Sequence, residues 1–394
     1  MAGVKKIDKA EGGIYPMVTN VTKMSAWQPI DINPFQVTNS FNAVTNGFQN
    51  SNYATLRDAY DDSPTHASII NSFVNYMYAD GLANTDTISE LDLSLYLDED
   101  TTEQICFDTK LFGGFALQVI WNDNEKDRKI LKFEYVPIDR LAVEVDKYCI
   151  NPKIIGYWYS FDWRKLGLYP AEECKKFNGT YEGGVEIYVC QRVTKNNFFP
   201  LPDYFSGINY MISEGYLGQN AKNHFKFENK IKTIVNINNP RKAALSDTVK
   251  EQEAGKFREA FTGGDPKFQV TVCYNSDPLD ATTVDQVEPE KLSEQNVFFA
   301  EECERKIIVA HSAPKILFSG SNNASGFSSN ADEILVATKE LYRRNINPLR
   351  KIVLDGLTKV FRLIDTNVKL EFIDFEEFRR VEEPKEITPE EEKV

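Results

Sequence analysis

No window of this sequence approaches the roughly eighteen uninterrupted apolar residues of a membrane-spanning helix, so no membrane span is expected. The first residues, Met1-Ala2-Gly3-Val4-Lys5-Lys6-Ile7-Asp8-Lys9, are charged and then polar and lack the apolar centre of a signal peptide. Cysteine is sparse and unpatterned: Cys106, Cys149, Cys174, Cys190, Cys273 and Cys303 form no C-x-x-C pair and repeat no spacing. They read as reduced, mostly buried thiols of a protein made in the cytoplasm. Histidine is rarer still. His66, His224 and His311 make no i, i+4 pair, which argues against a zinc or other metal site and leaves helix-surface or packed side chains. A phosphate-binding loop is missing as well, because Gly113-Gly114 and Gly263-Gly264 are followed by Phe115 and Asp265 rather than by the lysine and hydroxyl that nucleotide chemistry needs. Basic residues are in deficit, 45 against 59 acidic, for a formal charge of −14. That balance opposes general affinity for nucleic acid or anionic membrane.

What is present is a folded chain of 394 residues with 42% apolar and 12% aromatic content, long enough for a sizeable core and for two or three domains. Residues 1–60 carry isolated rings (Trp27, Phe35, Phe41, Phe48, Tyr53) among Asn, Thr, Gln and Ser, with Pro29 and Pro34 limiting helix, and read as an arm able to lie on another surface. Ser63-Pro64 caps and starts a helix whose buried side is Ile69, Ile70, Phe73, Val74, Met77 and Tyr78, and Gly81 stops it. A helix over Thr102 to Phe112 comes next. Strands follow at Phe115 to Trp121, Ile130 to Val136, Leu141 to Val145, Ile154 to Phe161 and Val185 to Gln191, so this half is α+β.

After Pro200-Leu201-Pro202, Asp203 is placed to cap a helix running to about Phe227. Gly207, Gly215 and Gly218 each cost that helix about 1 kcal/mol relative to alanine. Either another helix approaches closely there or the helix breaks near Gly215. A strand-helix-strand module follows: Ile231 to Ile237, Thr248 to Phe261, then Phe268 to Tyr274 after the Gly263-Gly264-Asp265-Pro266 turn. From Glu288, with Pro289 in the first turn, Leu292, Phe299, Cys303, Ile307 and Ala310 share one helical face, which Pro314 ends. The stretch Ser319 to Ser329 is small and polar except for Phe327 and reads as an exposed, mobile loop. Asn330 with Glu333 caps a second long helix carrying the stripe Leu335, Tyr342, Ile346, Leu349, Val353, Val360 and Ile364, with a kink expected near Asn347 because of Pro348. Val368, Leu370 and Phe372 alternate as one more strand, and the acidic, proline-punctuated end from Val381 reads as a disordered tail.

Catalytic arrangements are scarce. Cys303 and His311 are eight positions apart on one helix, about 12 Å along its axis, too far for a nucleophile and its base. Glu301-Glu302 with Glu304, and Asp98-Glu99-Asp100, are the densest carboxylate clusters and read as solvated faces before paired-acid catalysis. Lys222-Asn223-His224-Phe225-Lys226-Phe227 and Leu341-Tyr342-Arg343-Arg344 are local basic-aromatic runs, set against the overall charge.

The order of these pieces resembles the portal proteins of tailed bacteriophages over about Tyr53 to Ile364. The likeness is carried by Ser63-Pro64-Thr65-His66-Ala67 through Gly81-Leu82, by Pro200 to Tyr204, and by Ala310 to Phe318 with the Gly/Ser/Asn loop and Asn347-Pro348-Leu349. The resemblance implies an α+β, portal-like fold. It assigns 1–60 as the arm, 61–202 as the wing, 203–229 and 286–313 as stem helices, 230–285 as a βαβ clip, 314–329 as the tunnel-loop region, 330–364 as a long wing helix and 365–394 as a short strand and tail, with no large crown. Stem packing would fall on Gly207, Gly215, Gly218, Leu292, Phe299 and Ile307, and the clip core on Ile234, Phe257, Phe261, Val270 and Val272. The DNA-facing loop residues would be Ser319, Gly320, Ser321, Asn322, Asn323, Gly326, Phe327 and Ser328, with Phe327 either touching DNA or packing at the loop's base. The family implies a virion protein rather than an enzyme, without cofactor or metal. It forms a ring, typically of about twelve copies, at the capsid vertex, and works with the major capsid protein, the terminase large subunit and a head-tail adaptor while double-stranded DNA passes without sequence-specific binding. An acidic ring that makes few phosphate contacts would let DNA slide, since tight contacts would create salt-sensitive stops. Another ring-forming head-tail connector, or an enzyme with an unrecognised carboxylate site, remains open at this point.

Overall fold

The computed structural model describes residues 43–122, 127–146, 153–192, 198–227, 232–239, 241, 244–262, 269–275, 292–318 and 331–375. The expected 319–329 loop and its following Asn330 cap, the Pro289 turn, the 263–266 turn, the first 42 residues and the acidic tail lie outside them.

The α+β half is one seven-stranded sheet. Its strands are β1 (Ala43–Val44), β3 (Gly114–Trp121), β4 (Ile130–Val136), β5 (Leu141–Val145), β6 (Ile154–Tyr159), β7 (Glu172–Lys176) and β8 (Glu186–Gln191), in the spatial order β1-β5-β6-β7-β8-β3-β4. All neighbours are antiparallel except β7 and β8. β3 sits between β8 and β4, and Phe115, Ala116 and Leu117 are all fully buried. A separate antiparallel pair joins β2 (Leu82–Asn84) to β11 (Leu370–Phe372), so the chain after the last helix returns to the end of the first long one.

Helices α1 (Ser51–Asp62), α2 (Pro64–Tyr78) and α3 (Glu99–Leu111) pack with this sheet. The arm expected over 1–60 is corrected for its last third. Val44, Tyr53, Leu56 and Ala59 are buried in the main core, with Tyr53 edge-on to Phe112 at 5.3 Å, because the apolar positions of α1 fall on one helical face that faces the sheet. Phe48 is the exception and stays exposed. In α2, Ser63 Oγ accepts from the His66 N–H, Pro64 occupies the first turn, and Ile69, Ile70, Phe73, Val74 and Met77 are buried. The Arg350 guanidinium donates to the carbonyls of Tyr76 and Met77 at the far end of α2, satisfying acceptors that a helix C-terminus leaves open. The Asp98-Glu99-Asp100 cluster is a helix start: Asp98 accepts from the Thr101 N–H at 2.7 Å, and Glu99 and Asp100 sit in the first turn, where the helix dipole favours negative charge.

The long C-terminal helix is interrupted. α7 (Ala331–Leu341) passes through a π-helical turn, Tyr342–Ile346, into α8 (Asn347–Phe361). The kink expected from Pro348 takes this form, since widening the preceding turn makes room for a residue that has no N–H and whose ring crowds the carbonyl four positions back. α8 buries Leu349, Val353, Leu357, Val360 and Phe361 and approaches the sheet so closely at Gly356 that an added Cβ would stand 2.7 Å from Cys190 Sγ.

The segment after β8 closes over α3. Gly113, at a φ of +89°, leaves no room for a side chain beside the Leu201 backbone, and Tyr204 donates its hydroxyl to the Leu111 carbonyl at 2.6 Å. Asp203 corrects the capping expectation. It caps nothing and instead accepts from Lys110 Nζ at 2.9 and 3.1 Å, because Lys110 is fully buried in α3 and needs a counter-charge. The helix beyond begins with a 3-10 turn, Phe205–Gly207, before α4 (Ile208–Phe227). Asp203→Ala should therefore strand the buried ammonium and lower the unfolding free energy by about 3–5 kcal/mol, whereas Lys110→Met combined with Asp203→Ala should recover most of that loss. Urea denaturation of the three proteins measures both effects.

Candidate functional site

The elements that the sequence marks out for function are two long helices and what lies at their ends. α4 leads to a small module in which β9 (Lys232–Asn238) and β10 (Gln269–Asn275) run parallel, with α5 (Asp247–Thr262) between them in sequence. α6 (Leu292–Ala310) returns and packs beside α4. In the module, Ile234 is opposite Thr271, Val270 opposite Thr233, and Val272, half-buried, opposite Val235, while Phe257 and Phe261 lie on α5. The Tyr274 hydroxyl donates to the Lys250 carbonyl and holds α5 to the strand pair.

Both helices are fastened at one place, the start of α2. Glu214 of α4 accepts from the Ser63 hydroxyl and, at 2.6 Å, from the Thr65 hydroxyl, which places a carboxylate at the positive end of α2. Immediately beyond α6, His311 Nε2 is 2.9 Å from His66 Nδ1. Tyr204 lies against both imidazoles, at 4.6 and 4.7 Å between ring centres, and Lys110 Nζ stands 4.1 Å from the centre of the Phe73 ring. Asn345, from the π turn, donates to the His311 carbonyl at 2.9 Å. At Ser312 the backbone reverses with a φ of +52°, and Lys315–Phe318 form one helical turn leading toward the loop region. The sequence offered His66 and His311 only as packed or surface residues. Their pairing, 245 positions apart, has no local signature.

Burial and the Lys110 charge push His66 from an ordinary 6.5 down to about 3 and His311 well below its ordinary value. Both are neutral in the folded protein, while the unfolded chain protonates them near 6.5. The unfolded state thus binds more protons below that pH, so stability is full above it and falls as pH drops through the window from about 6.5 towards 3. His66 should remove about 2 kcal/mol between pH 7 and pH 5, and His311 acts in the same direction. His66→Gln should flatten that part of the stability-pH profile, measured by urea midpoints.

The stem positions divide into three cases. Gly207 is packed against α6: an added Cβ would lie 2.4 Å from the Ala310 Cβ. Gly215 is packed too, but on α1, where a Cβ would meet the Asp62 Cβ at 2.8 Å; its expected contact with the second long helix is corrected accordingly. Gly218 has no atom within 4 Å of an added Cβ, so it packs on nothing among the described residues. Ile307 is fully buried, Phe299 is 53% exposed, and Leu292 opens α6. The eight loop positions from Ser319 to Ser328 lie outside the described residues.

Glu302 is paired with Arg305 on the surface of α6, and Arg343 with Arg344 on Glu340. Among the described residues no group of three or more His, Cys, Asp or Glu side chains is arranged to hold a metal ion, and no helix is long and apolar enough to cross a membrane.

No protein-family model matches the sequence, and no curated protein matches it by sequence. Solved structures do share the fold. A chain in the neck of an empty GTA particle computed with C6 symmetry aligns with a TM-score of 0.51 at 13% identity, over 81% of this chain and 83% of that one. A chain in the virion of a native gene transfer agent particle aligns with a TM-score of 0.51 at 14% identity, over 81% and 82%.

Two substitutions separate the glycines by energy. Gly207→Ala should destabilise the subunit by about 1–3 kcal/mol through crowding against Ala310, and Gly218→Ala should stabilise the isolated subunit by up to about 1 kcal/mol through helix propensity. Thermal unfolding at a concentration where the protein is monomeric reports both.

Proposed function

We propose that this chain is a structural, non-catalytic subunit of a ring at the capsid vertex of a phage-like particle, a portal through which double-stranded DNA enters and leaves. The observation that carries the reading is the fold shared, over about four fifths of both chains, with a component of a particle neck. The order of parts supports it: two long helices fastened to an α+β body, a parallel strand-helix-strand module between them, and a Gly/Ser/Asn stretch between α6 and α7.

In this role the seven-stranded sheet and its helices form the wing, α4 and α6 the stem, and β9-α5-β10 the clip. Residues 319–329 form the tunnel loop that faces DNA. The charge of −14 per subunit, repeated around a ring, keeps the duplex from adhering. Directed movement of DNA then needs an external motor, a terminase large subunit, and the finished particle needs a head-tail adaptor and the major capsid protein as neighbours.

Negative-stain imaging and mass photometry of the purified protein across concentrations test the reading. The expected result is a closed ring of about twelve subunits with a central hole. A monomer at every concentration, with or without capsid protein, contradicts it. If rings form, replacing Ser319 to Ser328 with a short glycine linker should leave assembly intact and reduce DNA packaging.

A further inference from the structure

Two features of the α4–α6 pair have no explanation among the described residues of one subunit. In α4 the residues Met211 and Gly215 are buried, yet Gly218, one turn further along the same stripe, meets nothing. In α6 the stripe Ile307 and Cys303 is buried, yet Phe299, one turn further, is 53% exposed, and Phe298 beside it is 62% exposed with its ring 5.9 Å away. A glycine in an open helix interior weakens the helix relative to alanine, and two half-exposed phenylalanines forgo part of the burial open to them.

The two features stand at the same height. Gly207 and Ala310 touch at the base of the pair, and from there both Gly218 and Phe299 are eleven residues away, since 218 − 207 and 310 − 299 are both 11. At the helical rise each is about 16 Å above the base. They do not meet each other within the subunit, because no atom comes within 4 Å of a Cβ on Gly218. The flanking charges are complementary. From Gly218 to Phe227 α4 carries Lys222 and Lys226 and no acid, while α6 around Phe299 carries Glu294, Glu301 and Glu304, with Glu302 held by Arg305 of the same helix.

We propose that the occupant of each exposed stripe is a second copy of this chain: Phe299 of one subunit, backed by Phe298, seats over Gly218 of the next. The inference rests on the ring reading and names the contact within it. The contact is heterologous, one surface meeting a different one, and equal heights let it repeat by rotation without axial drift, which is the condition for a closed ring rather than a helical filament. The absent side chain at Gly218 is then the hollow that receives the ring.

A reciprocal substitution tests the contact in the full-length protein. Gly218→Lys alone and Phe299→Glu alone should each raise the concentration for half-assembly at least tenfold, read by mass photometry. The double variant, in which a lysine of one copy meets a glutamate of the next, should recover assembly to within about threefold of the unaltered protein. Gly218→Leu is a second block that adds no charge. Circular dichroism melting at monomeric concentration should show all four proteins folded, with Gly218→Lys and Gly218→Leu melting at or slightly above the unaltered protein, since either side chain improves helix propensity at a position open among the described residues. Single variants that assemble like the unaltered protein overturn the contact while leaving the ring reading intact, and so does a double variant no better than its singles. An unaltered chain that never associates overturns both.

Discussion

Everything else in this molecule is arranged around a buried polar junction at the start of α2. Lys110 is fully buried in α3, and an unpaired ammonium there would be far too costly to leave, so Asp203 must stand beside it. That requirement fixes where the chain re-enters after the sheet. It brings Tyr204 over His66 and His311, and with them the base of α4 and the end of α6. Glu214 on α4 adds a second tie to the same turn of α2 through Ser63 and Thr65. Polar contacts of this kind are directional, so they set the register of the two long helices on the body more sharply than apolar packing alone would. The histidines contribute only while neutral, and the same burial that makes the junction specific makes it sensitive to acid.

Local patterns made much of this architecture legible. The cap at Ser63-Pro64, the β-branched and aromatic runs of β3, β4 and β5, and the switch from strand to helix to strand around Asp247 each depend on neighbours in sequence. What escaped depends on distant partners. β7 reads Glu-Glu-Cys-Lys-Lys, with only Cys174 buried, and is a strand because β6 and β8 flank it, not because its residues alternate in hydrophobicity. α1 looked like part of an arm because Asn, Thr and Ser surround its few apolar residues, yet Tyr53, Leu56 and Ala59 meet a core built mainly from residues far along the chain. Asp203 had the local look of a helix cap, and only the fold reveals the buried lysine that claims it. The candidate site was partly legible in the same sense. The glycines of α4 were visible as unusual, but which of them meets a neighbour is a matter of geometry: Ala310 for Gly207, Asp62 for Gly215, and nothing among the described residues for Gly218.

Rigidity is distributed unevenly along the two long helices. Near the junction, Met211, Ile307 and Ile308 belong to the main core. Farther out, Val297, Phe298 and Phe299 face solvent, and the helices lead to a module whose described sheet is the pair β9 and β10. A pair of strands with one helix buries little apolar surface and is marginal by itself. A single subunit therefore holds one end of its helix pair firmly and leaves the other end short of packing.

Such a gradient suits a conduit built from many copies. Burying stray apolar side chains against a neighbour gives the outer half of the helix pair the support it lacks, so folding of that half and association become one process rather than two. The acidic surplus works in the opposite direction, since like charges brought together around a channel repel one another as well as DNA. Association must then rest on short-range contacts strong enough to overcome that repulsion, while the channel surface remains unattractive to the duplex. Ionic strength separates the two effects: screening weakens the repulsion between subunits, with a Debye length of about 10 Å at 0.1 M salt, and leaves the burial of an aromatic ring over a glycine almost untouched.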